Sequence, residues 1–183
     1  MRTTTHLNWE DFEKFINYIK GKDRMVCMYA MIATYCGLRV SDALQLTWGD
    51  LKKEMIVIKE RKTGKTRSIP LKEDVRILAD DLRPTIKRDD QHIFVNKQGG
   101  IITLQYLNRM IKKRMIECGI SVEGNVSSHL FRKTFGRRVL DQGGDKEYML
   151  ILLSDVFRHS SPAITKRYLG IREEEVRSVY NLL

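Results

Sequence analysis

The sequence is poor in cysteine and proline and has no long apolar run, and each shortage excludes a class of protein. Its three cysteines, Cys27, Cys36 and Cys118, are odd in number and show no C-x-x-C spacing. They supply neither a disulfide framework nor a zinc knuckle, and they suit a reducing cytoplasm. With only 12 glycines and 3 prolines in 183 residues, collagen-like and low-complexity chains are excluded. No apolar stretch approaches the roughly 18 residues of a membrane-spanning helix. The opening MRTTTHLNWE contains no signal-peptide core. Acidic residues are also in deficit: 23 Asp and Glu stand against 33 Lys and Arg, a formal net charge of +10. That excess fits a polyanionic partner, nucleic acid first, although charge alone would equally suit an ordinary basic protein. What is plentiful is Leu, Ile, Val and Phe, more than a quarter of the chain, which excludes a disordered segment. A chain of this length can bury about 70% of its unfolded surface without metal or disulfide support.

No repeat or linker divides the sequence, so one domain is expected. Trp9, Phe12, Phe15, Ile16 and Ile19 recur at helical spacing behind Asn8, a good N-cap, with Leu7 placed to pack on Phe12. The segment from Arg24 to about Tyr35 is apolar on most sides and reads as a central helix stopped by Gly37. A short helix is expected from Ser41. Glu54–Lys59 and Thr66–Leu71 read as strands joined through a Thr63-Gly64 hairpin tip, and His92–Val95 reads as a third, short strand. Further helices are expected around Leu78 and Leu82 and over Leu104–Cys118, His129–Asp141, Lys146–Phe157, Pro162–Tyr168 and Arg172–Asn181. Ser161-Pro162 supplies an N-cap and N1 pair. The fold class is α+β, mainly helical, with a small antiparallel three-stranded sheet.

Several chemistries fail on their motifs. Lys62-Thr63-Gly64-Lys65-Thr66 ends like a phosphate-binding loop, but Lys59 stands where that loop requires glycine. There is neither GxGxxG nor HExxH, and the four histidines show no metal-ligand spacing. Asp80-Asp81 and Asp89-Asp90 lie in charged stretches and read as solvated surface. Four other segments carry a more specific pattern. GLRVSDALQLTW holds Arg39 between two helices, and KTGKTRSIPL holds Lys62 at a hairpin. HLFRKTF sets His129 and Arg132 at i and i+3 on one helical face, and RHSSPAITKRYL holds His159 and, nine residues on, Tyr168.

In this order the segments resemble the tyrosine recombinase, or phage integrase, family, from about Leu7 to Gly170. The resemblance implies a catalytic set of Arg39, Lys62, His129, Arg132, His159 and Tyr168, with Tyr168 as nucleophile. It implies a site-specific recombinase that cleaves and rejoins duplex DNA through a 3′-phosphotyrosine, with no metal, ATP or other cofactor. Residues 1–183 would form the catalytic domain, with 171–183 as a tail helix that either folds back onto its own domain or, as in many family members, docks on a neighbouring subunit. The N-terminal core-binding domain usual in the family has no counterpart in this sequence. Partners would be double-stranded DNA and further copies of the chain, as a tetramer on paired sites, in the cytoplasm at a bacterial or phage nucleoid and away from membranes. Two other readings stand beside it: a non-catalytic DNA-binding regulator of the same fold, and topoisomerase-like relaxation.

The chemistry accounts for such a set. A phosphodiester repels nucleophiles until its charge is met, and two guanidiniums can meet it through planar forks. A phenol with an ordinary pKa near 10 needs cations and a proton acceptor. His129 is the expected acceptor, His159 a donor to the phosphate, and Lys62 the donor to the leaving 5′-oxygen. Four positions depart from the family pattern, one of them Phe131, which stands where Leu is usual. Phe157-Arg158 replaces the usual Leu-Gly before the second histidine, and Lys133 follows Arg132 where His or Arg is frequent.

Overall fold

Asn8 starts the first helix in the way its position predicts: its side-chain oxygen accepts the Asp11 N–H at 2.7 Å, ahead of α1 (Trp9–Ile19). In the computed structural model, which describes residues 5–59, 64–82 and 88–182, α2 (Arg24–Cys36) is capped by Asp23 and ends at Gly37, whose φ is +58°. Asp23 also pairs with Arg114 at 2.9 Å, so one carboxylate caps α2 and ties it to the end of α5 (Leu104–Glu117). Buried almost throughout, α2 is the axis of the domain. Around it lie α1, α4 (Glu73–Leu82), α5 and the first half of α6 (His129–Gln142). The short α3 (Val40–Ala43) and a 3-10 turn at Asp50–Lys52 lead into the sheet.

The sheet is smaller than the sequence predicts. Among the described residues it is one antiparallel pair, β1 (Met55–Lys59) against β2 (Thr66–Pro70), in register from Met55 opposite Pro70 to Lys59 opposite Thr66. The expected third strand at His92–Val95 reduces to single bridges, Thr47 with His92 and Val95 with Ile101. The reason lies in the partner. Ile93 N–H bonds Leu46 O at 3.0 Å and His92 Nδ1 lies 2.9 Å from Gln45 O. This segment therefore pairs with the irregular chain after α3 and not with the hairpin. Gly64 takes a positive φ, as a tip requires, while Thr63 lies outside the described residues.

The remaining helices are α7 (Lys146–Phe157), α8 (Pro162–Leu169) and α9 (Ile171–Tyr180). Pro162 opens α8 at N1 as expected, but the Ser161 side chain makes no capping bond. Buried apolar residues form two clusters. The larger surrounds α2 and includes Phe12, Phe15, Ile32, Phe94, Leu130 and Phe131; the smaller joins Leu140, Leu150, Leu153, Phe157 and Leu169. α6 belongs to both: Phe131 packs in the first, while Phe135 and Val139 pack against the second. The seam between the clusters is where Arg132 emerges from α6. Gly136, one turn on, allows α8 this close, since a Cβ there would come within 2.7 Å of Leu169.

Candidate active site

Arg132 is a cation on a helix face that is otherwise buried, with 3% of its surface exposed. Burial of a charge is tolerated only with partners, and the two helix ends at the seam supply them. Its guanidinium donates to Gly37 O at the end of α2 and, at 3.1 Å, to Phe157 O at the end of α7, and it stacks over the Phe157 ring. Both acceptors are C-terminal helix carbonyls, carrying the negative end of a helix dipole. Burial still pulls the Arg132 pKa down, to about 10, with Arg39 and Arg67 adding repulsion and Tyr168 opposing it. The group stays a cation at neutral pH.

Arg39 enters from the other side of the seam. It is the residue before α3, in extended backbone, and its Nη2 donates to Phe157 O at 2.6 Å. Arg39 and Arg132 therefore share one carbonyl, which fixes two guanidiniums side by side. Gly37 is what sets this up: its left-handed turn ends α2, leaves its carbonyl facing Arg132, and puts Arg39 two residues later. A side chain at position 37 would strain that turn and would meet the Phe135 ring at 2.8 Å.

Tyr168 and His159 come from α8 and the turn before it. The Tyr168 hydroxyl lies 3.4 Å from His129 Nδ1, and its ring stands edge-on to His159 and Phe157 with centroids 5.3 and 5.5 Å away. The positive charges of Arg132 and Arg39 act on the same hydroxyl and favour its ionised form. Lys133, buried beside it, holds its ammonium 5.2 Å from the ring centroid. Burial pushes the Tyr168 pKa up to about 12, and Arg132 and Arg39 only partly offset this. His129 is shifted below its ordinary value, by burial first and then by Arg132 and Lys133. His129 is therefore neutral and able to accept a proton through Nδ1 near pH 7. His159 is oriented by Thr165, whose Oγ1 lies 2.9 Å from its Nδ1.

The Phe157-Arg158 departure leaves the turn ahead of His159 in a glycine-like conformation. Arg158 has φ 52° and ψ 47°, the only non-glycine with positive φ among the described residues. α7 thus ends in the left-handed cap that glycine normally fills. Arg158→Gly is expected to raise stability by about 0.5–1 kcal/mol, the left-handed penalty relieved less the added freedom of the unfolded chain. Thermal unfolding of the two proteins checks this.

Of the six residues singled out in the sequence, five converge here: Arg39, His129, Arg132, His159 and Tyr168. Lys62 lies outside the described residues. Sequence reasoning missed Thr165, Arg67 and Asn108. Asn108 accepts the Ser128 N–H at 2.8 Å, doing at the start of α6 what a local cap would do. Thr165 carried a signal, six residues after His159 and on the buried face of α8; Asn108 carried none, because its partner is distant in sequence. Among the described residues no cluster of His, Cys, Asp and Glu could hold a metal, and no helix is long and apolar enough to cross a membrane.

A mainly helical domain with a small antiparallel sheet is the architecture of tyrosine recombinase catalytic domains. Residues 4–175 match the phage integrase family, and the chain belongs to it. It is 27% identical over 176 residues to a probable integrase/recombinase, YoeC, of Bacillus subtilis, covering 94% of this chain and 92% of that protein. The XerA recombinase structure superposes with a TM-score of 0.74 at 22% identity, over all of this chain and 64% of that one. The XerH recombinase bound to a palindromic difH substrate, a post-cleavage complex, superposes at 0.67 with 26% identity over 98% of this chain and 54% of that one. The chain thus spans about half to two thirds of these solved recombinases.

Proposed function

We propose that residues 1–183 form the catalytic domain of a site-specific DNA recombinase that acts on duplex DNA through a 3′-phosphotyrosine. The observation that carries this reading is the hydroxyl of Tyr168 at 3.4 Å from His129 Nδ1, in the field of the Arg39 and Arg132 guanidiniums that share Phe157 O. Arg39 and Arg132 take the non-bridging oxygens of the scissile phosphate and stabilise the charge that grows on them. With a pKa near 12, only roughly one Tyr168 in 10⁵ is ionised at pH 7, so a base is required. His129 takes the phenolic proton as the Tyr168 oxygen bonds to phosphorus. The bond to the 5′-oxygen breaks, Lys62 gives that oxygen a proton, and His159 donates to the phosphate. One phosphodiester is exchanged for another, so rejoining reverses the steps without ATP, and the charge is met by side chains without a metal ion.

The test is a nicked duplex built on a candidate target site, chosen by searching the DNA that flanks its gene for inverted repeats around a short crossover region. A denaturation-resistant protein–DNA adduct should form in excess EDTA, with the modified peptide containing Tyr168. Activity that vanishes with EDTA and returns with magnesium would overturn the reading. The shifted His129 also sets the pH profile. The base form is lost only as pH falls through a value below the ordinary 6.5, so the acid limb of single-turnover cleavage should lie below about pH 6.5. His129→Gln should remove that limb.

The tail fits assembly as a tetramer on paired sites. α9 begins with Ile171 packed on the smaller cluster, yet Val176, Val179, Tyr180 and Leu182 face solvent with 50–84% of their surface exposed. An isolated three-turn helix is marginal in water, and a neighbouring subunit would cover this face. Deleting Arg172–Leu183 should leave half-site binding within about twofold but lose cooperative filling of a full site, the added stability of coupled binding. Gel shifts on the two DNAs measure this.

A further inference from the structure

The last turn of α7 poses an accounting problem with an informative answer. A helix leaves its final four carbonyls without intrahelical partners. At the end of α7 the backbone satisfies the first of them, since Asp155 O accepts Arg158 N–H at 3.1 Å. The next three are met by arginines from elsewhere in the chain. Val156 O accepts from Arg67 Nη1 at 2.6 Å, Phe157 O from Arg39 and Arg132, and Arg158 O from Arg39 at 3.5 Å. Two of these three arginines belong to the site already described. The third, Arg67, does not.

Arg67 reaches this point because of strand periodicity. It shares a face of β2 with Ile69, which is buried, while Thr66, Ser68 and Pro70 face outward. Its register partner is Ile58, also buried, so the guanidinium is carried inward on a rigid hairpin. From there it bonds the carbonyl that directly precedes the one shared by Arg39 and Arg132. It lies close enough to Arg132 to depress that group's pKa. One residue further on is the left-handed Arg158, and then His159. A shift of this turn would move Phe157 O, and with it both guanidiniums and the second histidine.

We propose that Arg67 is a positioning residue of the phosphate site: it fixes the last turn of α7 so that Phe157 O orients Arg39 and Arg132. This rests on the reading of those two arginines as the groups that meet the phosphate charge. The hairpin donates one hydrogen bond to a helix terminus, and the terminus hands on that position to two cations. Arg67 itself need not touch the DNA.

The test uses the full chain and a pair of nicked duplexes that differ at one linkage, an ordinary phosphodiester or an uncharged methylphosphonate at the scissile position. Single-turnover cleavage is measured for the unmodified protein, Arg67→Met, Arg67→Lys, Arg39→Met and the Arg67→Met/Arg39→Met double variant. A misplacement of charged groups should cost Arg67→Met roughly 10- to 100-fold on the charged linkage and leave the neutral one nearly unchanged. Arg67→Lys keeps a donor for Val156 O and should lose less, with the same preference. The double variant should lose clearly less than the product of the two single losses, since Arg67 acts in part through the residue already removed and otherwise through Arg132. Equal losses of Arg67→Met on both linkages, with an unchanged unfolding midpoint and half-site affinity, would overturn the proposal. So would losses that multiply in the double variant, which would make Arg67 an independent contact. Should Arg67→Met fail to fold, Arg67→Lys decides on the same two linkages. If Arg39→Met shows no preference between linkages, the phosphate reading itself fails and the Arg67 proposal falls with it.

Discussion

Tyr168→Phe is expected to abolish the covalent protein–DNA adduct while leaving DNA binding within about twofold, because only one oxygen is removed. The ring keeps its edge contacts to Phe157 and His159 and its place under the Lys133 ammonium. The fold should lose no more than about 1 kcal/mol, the worth of one partly exposed hydrogen bond. The chemical loss is of another order. Without the phenolic oxygen no nucleophile stands among Arg39, Arg132 and His129, and cleavage should fall by roughly 10⁴-fold or more. Denaturing gels on the nicked substrate read the adduct, and half-site gel shifts read binding. An adduct that survives the substitution would place the nucleophile elsewhere and sink the whole assignment.

The helices were legible because their signals are local. Asn8 and Gly37 mark ends that the structure reproduces, and Lys146–Phe157 is matched residue for residue. Convergence of five site residues could be expected only through the family resemblance, since Arg39 and Tyr168 are 129 positions apart and no periodicity joins them. Failures came where a partner decides. His92–Val95 has strand composition, but its neighbour is the irregular chain after α3, and backbone pairing cannot be read from one strand alone. Ser161 has the right identity for a cap and an extended backbone like that of Asn8, yet its side chain makes no capping bond.

The site shows the same division. Arg67 sits in KTGKTRSIPL beside the lysine that drew attention, yet its role depends on Val156, 89 residues away. The tail reads correctly as a helix with an apolar side, but what covers that side depends on a surface outside the segment. The glycine missing at position 158 is instructive in the opposite sense. Sequence marks the substitution, and the structure shows that an arginine has been held in the left-handed turn. Its neighbours, with three arginines on the adjoining carbonyls, specify the turn strongly enough to bear the strain.

Arg132→Met should be the most damaging substitution in the chain, because it acts on fold and chemistry together. The guanidinium is buried between the ends of α2 and α7 and joins the two apolar clusters at their seam. Methionine replaces the aliphatic stem and can adapt to the space beside Phe157, though it ends short of the guanidinium that stacks there, so some packing is lost. Also lost is the donor to Gly37 O, while Phe157 O retains Arg39. One buried carbonyl without a donor costs about 1–3 kcal/mol, partly offset because a charge no longer has to be desolvated. A midpoint lowered by several degrees is expected, with the native helix content intact. Cleavage should fall further, by roughly 10²- to 10³-fold for the missing oxyanion donor, and by more because Tyr168 loses the cation that most lowers its pKa. Arg132→Lys separates the two effects. Its ammonium retains the charge and can donate to Gly37 O, so stability should largely return. It lacks the planar fork that serves two carbonyls and a phosphate at once, so cleavage should stay at least about tenfold down. Calorimetry and single-turnover cleavage on the same preparations give both readings. Cleavage restored in full by lysine would mean that charge alone, without the fork geometry, is what Arg132 contributes.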